Sequence, residues 1–235
     1  MKKTLDRVLS RAGLGSRTEA RRWVADGRVS VDGKTVRIPD AWVDPAKNRI
    51  KFDGRPIESK RKLYLLLYKP KGYLTTYKDP GGRPTVYDLI KDVEDWVFPA
   101  GRLDQDTTGL LLMTNDTAFG DFVTSPESHV PKTYLVKASE KLTDEQLDRL
   151  RHGIELSDGS TRPAEVERIR DSARYTFLQI TITEGRNRQV RRMVEALGAK
   201  VLKLVRTGIG PIEISGLEIG KWRRLSKEEV KTLYR

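Results

Sequence analysis

The chain has 235 residues, with 45 Lys and Arg against 33 Asp and Glu, a formal net charge of +12. That length allows one large domain or a large and a small one, and the absence of cysteine excludes disulfides, thiolate nucleophiles and zinc sites built on sulfur. No stretch approaches the roughly 18 consecutive apolar residues that cross a bilayer, and the start "MKKTLDRVLSRAG" lacks the apolar core and cleavage site of a signal peptide, so a cytoplasmic location without membrane contact is expected.

Residues 4–13, "TLDRVLSRAG", put Leu5, Val8, Leu9 and Ala12 on one helical face, with Gly13 as a stop. In "GSRTEARRWVADGRV", Ser16 followed by Glu19 is a capping-box signature for a helix entering at Arg17. Ala20, Trp23 and Val24 form its buried stripe and Gly27 ends it. Arg17, Arg21, Arg22 and Arg28 lie off that stripe, where they and the helix N-terminus suit phosphate. "VSVDGKTV" reads as a hairpin turning on Asp32-Gly33, a dipeptide that accepts positive φ.

The charge is concentrated here. Residues 1–62 carry 17 basic and 8 acidic side chains, whereas the remaining residues carry 28 and 25. So local an excess is the footprint of a module that meets a polyanion; the plainer alternative is a solubilising surface. The helix–helix–hairpin order and "SRTEARRWVADGRVSVDG" resemble the S4 RNA-binding domain over roughly residues 4–50. A separable RNA-binding module at 1–58 follows, with a linker at 59–62 and a second domain at 63–235.

The seam gives way to the apolar "LYLLLYKPKGYL" at 63–74, and beyond it "TYLVKA", "TFLQITI" and "KVLKLVR" read as strands. "TDEQLDRLRHG", with Thr143 and Gln146 as a capping pair, and "SKEEVKTLY" after Ser226 read as helices. The irregular alternation predicts an α+β fold, with a mixed and largely antiparallel sheet in the second domain.

Several chemistries drop out. There is no G-x-S-x-G elbow and no phosphate-binding G-x-x-x-x-G-K-[ST] loop. His129 and His152 are isolated and suggest no metal pair. In "GRLDQDTTGLLLMTND", 101–116, Asp104 sits on a sharp loop before a buried strand. Asp104, Asp106, Thr108 and Gly109 mimic the first half of a calcium loop, but the twelfth position is Asn115 where a bidentate Glu is needed. A second stretch, "TITEGRNRQVRRMVEALG", runs from a strand into a helix with Val190, Met193, Val194 and Leu197 as its core stripe and Gly198 as its end. Arg186, Arg188, Arg191 and Arg192 crowd its entry. Four guanidiniums so close call for an anionic partner: a protein carboxylate, RNA phosphate, or both.

Taken together, "GRLDQDTTGLLLMTND", "KTYLV", "EGRNRQVRRM", "YKPKGYL" and "DPGGRPTVYDLI" resemble the RsuA/RluB family of ribosomal RNA pseudouridine synthases across nearly the whole chain, most closely its large-subunit enzymes. The resemblance implies isomerisation of uridine to pseudouridine without cofactor or metal, in 23S rRNA near the peptidyl-transferase region, with 16S rRNA or a non-catalytic ribosome-assembly role as alternatives. It implies a monomer acting on ribosomal RNA or an assembly intermediate. It makes Asp104 the essential carboxylate, either attacking C1′ or stabilising charge there. Tyr134 would stack on the uracil and assist proton transfer, and Arg191 would pair with Asp104. Asp106, Thr107 and Thr108 would shape the loop. Arg102, Arg186, Arg188 and Arg192 join Arg17, Arg21, Arg22 and Arg28 as expected RNA contacts.

Overall fold

The computed structural model describes residues 2–57 and 61–234; the expected linker at 59–62 falls partly outside these. The chain forms two compact units. The first comprises residues 1–63 joined by 93–98 and 115–117; the second comprises 64–92, 99–114 and 118–235.

In the first unit, β1 (Lys3–Thr4) leads into α1 (Leu5–Arg11) and α2 (Arg17–Ala25). The strands β2 (Val29–Val31), β3 (Lys34–Thr35), β5 (Ile50–Phe52) and β6 (Arg55–Pro56) make a four-stranded sheet, while β4 (Trp42–Val43) pairs with β1. Ser16 and Glu19 cap α2 reciprocally, as their spacing predicts. Asp32 and Gly33 take φ of 50° and 83° between the paired Val31 and Lys34, so the hairpin turns on two residues with positive φ. Leu5, Val8, Leu9, Ala20, Val24, Val29, Val43 and Ile50 form the core, with Trp23 and Phe52 packed against it.

The second unit is built on one mixed sheet. In chain order come β7 (Tyr64–Lys69), β8 (Phe98–Pro99), β9 (Thr108–Thr114), β10 (Lys132–Ala138), the short pair β11 (Glu155–Leu156) and β12 (Gly159–Ser160), β13 (Glu165–Asp171), β14 (Thr176–Ile182), β15 (Val201–Ile209), β16 (Ile212–Glu213) and β17 (Trp222–Arg224). The spatial order is β13-β14-β10-β15-β9-β7-β17. Neighbours along it are antiparallel except β15 and β9, which run parallel. The α+β class and the largely antiparallel sheet are as the sequence predicts.

The helices are α3 (Thr117–Thr124), α4 (Asp144–His152), α5 (Gln189–Glu195) and α6 (Lys227–Leu233). Thr143 with Gln146 and Ser226 with Glu229 form capping boxes at α4 and α6. One core lies where α4 and α5 cover β10, β14 and β15, and includes Val136, Leu147, Leu178, Ile180, Met193 and Val194. The other gathers Leu66, Leu110, Leu112, Phe119, Val123 and Leu233. Each such leucine contributes about 1.5–3 kcal/mol by leaving water. The parallel contact between β9 and β15 is possible because Gly109 has no side chain: at φ 122°, a Cβ would lie 2.3 Å from the Arg206 carbonyl oxygen. That contact brings the loop before β9 next to the strands that carry Tyr134 and Arg206.

Candidate active site

The loop before β9 is fastened from beneath by the segment after β7. Lys69 ends β7, has no exposed surface, and donates from Nζ to the carbonyl oxygens of Pro70 at 3.1 Å, Asp104 at 2.9 Å and Thr107 at 2.8 Å. All three ammonium hydrogens are thereby used. Burial drives its pKa down to about 8, although the Asp104 and Asp106 charges oppose that fall. Thr75 Oγ1 brackets Leu103, donating to its carbonyl and accepting from its N–H. The Gly72 N–H reaches the Gln105 carbonyl at 2.7 Å. The loop that carries Asp104 is therefore held by backbone contacts on both sides of that residue.

Asp104 projects into a cleft of about 400 Å³ bounded by the 100–107 loop, β10, β15 and the segment entering α5. Among the described residues, it is the one carboxylate lining the cleft, with 30% of its side chain exposed. Tyr134 lines the same cleft from β10 and is 8% exposed. Lys132, Arg102, Arg186, Arg188 and Arg206 supply cationic walls.

The arginines divide the work differently from the expected scheme. Arg191 Nη2 lies 3.1 Å from Asp106 Oδ2 and donates to the Asp106 carbonyl and the Thr107 hydroxyl. Its expected partner, Asp104, is instead faced by Arg188, whose Nη1 stands 3.6 Å from Asp104 Oδ2 and 3.4 Å from Asp106 Oδ1. The reason is where each side chain leaves the chain. Arg191 lies in the first turn of α5 among the buried Val190, Met193 and Val194, and its guanidinium emerges under the loop rather than in the cleft. Arg188 caps that helix at φ 47°, a left-handed backbone that turns it to the cleft. Arg186 and Arg192 were expected to meet RNA, but both grip the β11–β12 hairpin. Arg192 chelates Asp158 at 2.7 and 3.0 Å, and Arg186 donates to the Gly159 carbonyl at 2.7 Å and pairs with Glu184. The anionic partners of this arginine cluster are thus largely protein carboxylates and carbonyls.

The first unit repeats that pattern. Arg17 donates to Asp6 Oδ2 at 3.1 and 2.9 Å, Arg21 reaches both Asp6 and Asp40, and Arg28 pairs with Asp53. Asp6 has no exposed surface. Burial alone would raise its carboxyl, but hydrogen bonds from Thr4 and Arg17 and the Arg17 charge hold it below the ordinary value. Arg22 is exposed and has no ion-pair partner among the described residues, and the same is true of Arg102 in the second unit.

Sequence reasoning assigned nothing to Lys69, Lys132 or Arg206. "YKPKGYL" and "KTYLV" carried the family resemblance, but a lysine in an apolar strand does not announce that it will be buried. No group of three or more acidic, His or Cys side chains that could hold a metal occurs among the described residues, and no helix is long and apolar enough to cross a membrane.

Residues 63–196 match the family model for RNA pseudouridylate synthase, and residues 3–45 match the S4 domain. The chain belongs to the RNA pseudouridylate synthase family. It is 40% identical over 236 residues to an uncharacterized RNA pseudouridine synthase of Aquifex aeolicus, covering all of this chain and 95% of that protein. It is 39% identical to ribosomal large subunit pseudouridine synthase B of Bacillus subtilis, over 97% of this chain and 94% of the relative. A crystal structure of a pseudouridylate synthase superposes with a TM-score of 0.70 at 30% identity, covering 98% of this chain and 99% of that one. The protein is an RNA pseudouridine synthase, an isomerase, with an S4 domain at its N-terminus.

Proposed function

We propose that this synthase isomerises one uridine of ribosomal RNA, in the large-subunit RNA, with Asp104 as its essential carboxylate. The observation that carries the catalytic part is the solitary Asp104 in a cationic cleft beside Tyr134. The ribosomal part draws on similarity over nearly all of this chain to proteins named large-subunit synthases in Bacillus subtilis and Yersinia pestis, 39% and 36% identical and covered to 94% and 73% of their own lengths.

The reaction cuts the C1′–N1 bond, turns the uracil and joins C1′ to C5. The nucleotide must first leave its stack, an unfavourable step offset by contacts in the cleft. Asp104 serves C1′, as nucleophile or as the negative charge beside an electron-poor carbon. The Tyr134 ring stacks on the base, and its hydroxyl assists proton movement. Arg188 orients the carboxylate, while Arg191 acts one step removed, ordering Asp106 and Thr107. Of the arginines expected to meet RNA, Arg102 and Arg22 have no ion-pair partner among the described residues and are the freest to hold phosphate; Arg17, Arg21, Arg28, Arg186 and Arg192 can add only the donors their protein partners leave.

Pseudouridine mapping of ribosomal RNA from cells lacking the protein, then from cells complemented with wild type or Asp104→Asn, tests this reading. One uridine of 23S rRNA is expected to lose its modification and regain it only with wild type. A site lost from 16S rRNA would overturn the large-subunit assignment, and no lost site would overturn the ribosomal one.

A further inference from the structure

Two cations in the cleft have no part in the scheme above. Lys132 and Tyr134 are two residues apart on β10, so both side chains leave the same face of the sheet, the face that lines the cleft. Opposite Tyr134 in register stands Arg206 of β15, next to an irregularity in the pairing between Thr133 and Tyr134. Bulges of this kind redirect side chains beside functional sites. Arg206 is 3% exposed; its Nε donates to the Leu110 carbonyl at 2.8 Å, but its Nη2 is buried without an acceptor. Lys132 Nζ donates to the Val130 carbonyl at 3.1 Å, which leaves two of its N–H groups without a described acceptor. Burial first, and the Arg206 charge second, bring its pKa to about 8. Among the described residues, neither cation pairs with a carboxylate. Two like charges so placed repel each other, and an anionic group entering the cleft beside them relieves that repulsion.

We propose that Lys132, with Arg206 behind it, is a catalytic residue that donates to a carbonyl oxygen of the uracil and holds the base's negative charge once its bond to the sugar is broken. The inference rests on the uridine-isomerising reading of this cleft. When C1′–N1 breaks, the electron pair stays on N1 and spreads to O2 and O4. After the base has turned, C5 gives an electron pair to C1′, the proton on C5 is lost and N1 gains one. The base is therefore an anion while it is free to escape or rotate. A cationic donor at its carbonyl edge stabilises that charge and keeps the ring in the cleft.

The test uses a transcript of the ribosomal RNA segment whose uridine loses its modification in cells lacking the protein. Single-turnover rates with saturating enzyme are measured for wild type, Lys132→Met and Lys132→Arg from pH 6.5 to 9.5, with RNA affinity at two salt concentrations. The groups that face Lys132 are Arg206 and Tyr134 from the sheet, Asp104 and Arg102 from the loop, and Arg186 and Arg188 from the entry to α5; the arginines keep their charge throughout this range. Lys132→Met is expected to slow the reaction at least 100-fold with affinity within twofold. It should melt no lower than wild type, because it removes a half-buried charge that has no carboxylate partner among the described residues. Lys132→Arg should recover at least tenfold over Met and lack the fall in rate expected of wild type above about pH 8. A Met variant within threefold of wild type overturns the proposal, as does a defect confined to affinity with a shallower salt slope, which would mark a phosphate contact. Should Lys132→Met melt lower, the Arg variant decides: loss of the alkaline fall supports the proposal and its retention overturns it. If wild type itself modifies no ribosomal uridine, the ribosomal reading fails and the role of Lys132 is measured on whichever RNA it does modify.

Discussion

In the proposed reaction Asp104 meets the substrate, while its neighbours Lys69, Thr75 and Arg191 hold its loop in place. Asp104→Ala removes the one carboxylate that lines the cleft among the described residues, so isomerisation should fall to background while RNA affinity changes less than about threefold; turnover above an enzyme-free control would refute the assignment. Tyr134→Phe keeps the π-face and should bind RNA like wild type, whereas Tyr134→Ala should bind more weakly by roughly 1–3 kcal/mol if the ring stacks on the base. Arg191 presents a different question, because its guanidinium meets Asp106 at 3.1 Å rather than Asp104. Arg191→Lys keeps the charge but loses the planar fork that reaches the Asp106 carboxylate, the Asp106 carbonyl and the Thr107 hydroxyl together. Its turnover should drop about 10- to 100-fold with little change in affinity, since a shift of about 1 Å in the loop is enough for that. A double-mutant cycle in denaturant should give Arg191 and Asp106 a coupling of about 1 kcal/mol or more. Additive effects would show that this contact contributes nothing to the fold.

At the scale of elements, what could be read from the chain was what neighbouring residues decide. The two expected caps at Ser16 and Thr143 and the Asp32-Gly33 turn depend on residues at most three apart, and all three are present. The buried strand "LLLMT" and the core stripe of α5 followed from periodicity. The fastening of the catalytic loop did not, because it joins Lys69 to carbonyls 35 and 38 positions along the chain. The pairing of Arg191 was also misjudged for want of geometry: Asp104 and Asp106 are two residues apart on a loop, and only its folded path decides which one meets the helix. Lys69→Met should therefore be informative. It removes a buried charge but also the donor that ties the Pro70, Asp104 and Thr107 carbonyls together, leaving the Asp104 carbonyl only its bond from the Thr107 N–H, so the loop relaxes and kcat should fall at least tenfold with RNA affinity nearly unchanged. The pH dependence has a definite sign. The folded pKa, about 8, lies below the ordinary value of 10.5, so between them the unfolded chain binds more protons and the Lys69 contribution to stability rises with pH. Denaturant unfolding at pH 7 and pH 9 should show wild type gaining on Lys69→Met at the higher pH; a gap that is constant or narrows would contradict the buried, partly neutralised lysine.

For the whole molecule, net charge and available charge are different quantities. The first 62 residues hold 17 of the 45 basic side chains, which pointed to this unit as the phosphate-binding one. The fold then commits Arg17, Arg21 and Arg28 to Asp6, Asp40 and Asp53, and draws residues 93–98 and 115–117 into the same unit. Deleting residues 1–58 would thus remove packing partners along with charge and could not separate affinity from folding. Single substitutions can. Arg22 is exposed and without an ion-pair partner among the described residues, so Arg22→Ala should leave the melting temperature unchanged. If it meets one phosphate, the slope of log K against log salt should become shallower by about 0.7–0.9, the value for one released counterion. Arg17→Ala should behave in the opposite way. It takes two hydrogen bonds from a carboxylate with no exposed surface, and Arg21 remains as partial compensation, so the cost should be about 1–2 kcal/mol. Because the Asp6 carboxyl is held below its ordinary value, this stabilisation is present above the unfolded pKa near 4 and lost as pH falls through the folded one. The difference between Arg17→Ala and wild type should accordingly shrink toward pH 3 while the salt slope of binding at neutral pH stays nearly the same. Should Arg17→Ala instead flatten the salt slope as much as Arg22→Ala and melt like wild type, the arginine would be a phosphate ligand that merely rests on Asp6 in the absence of RNA.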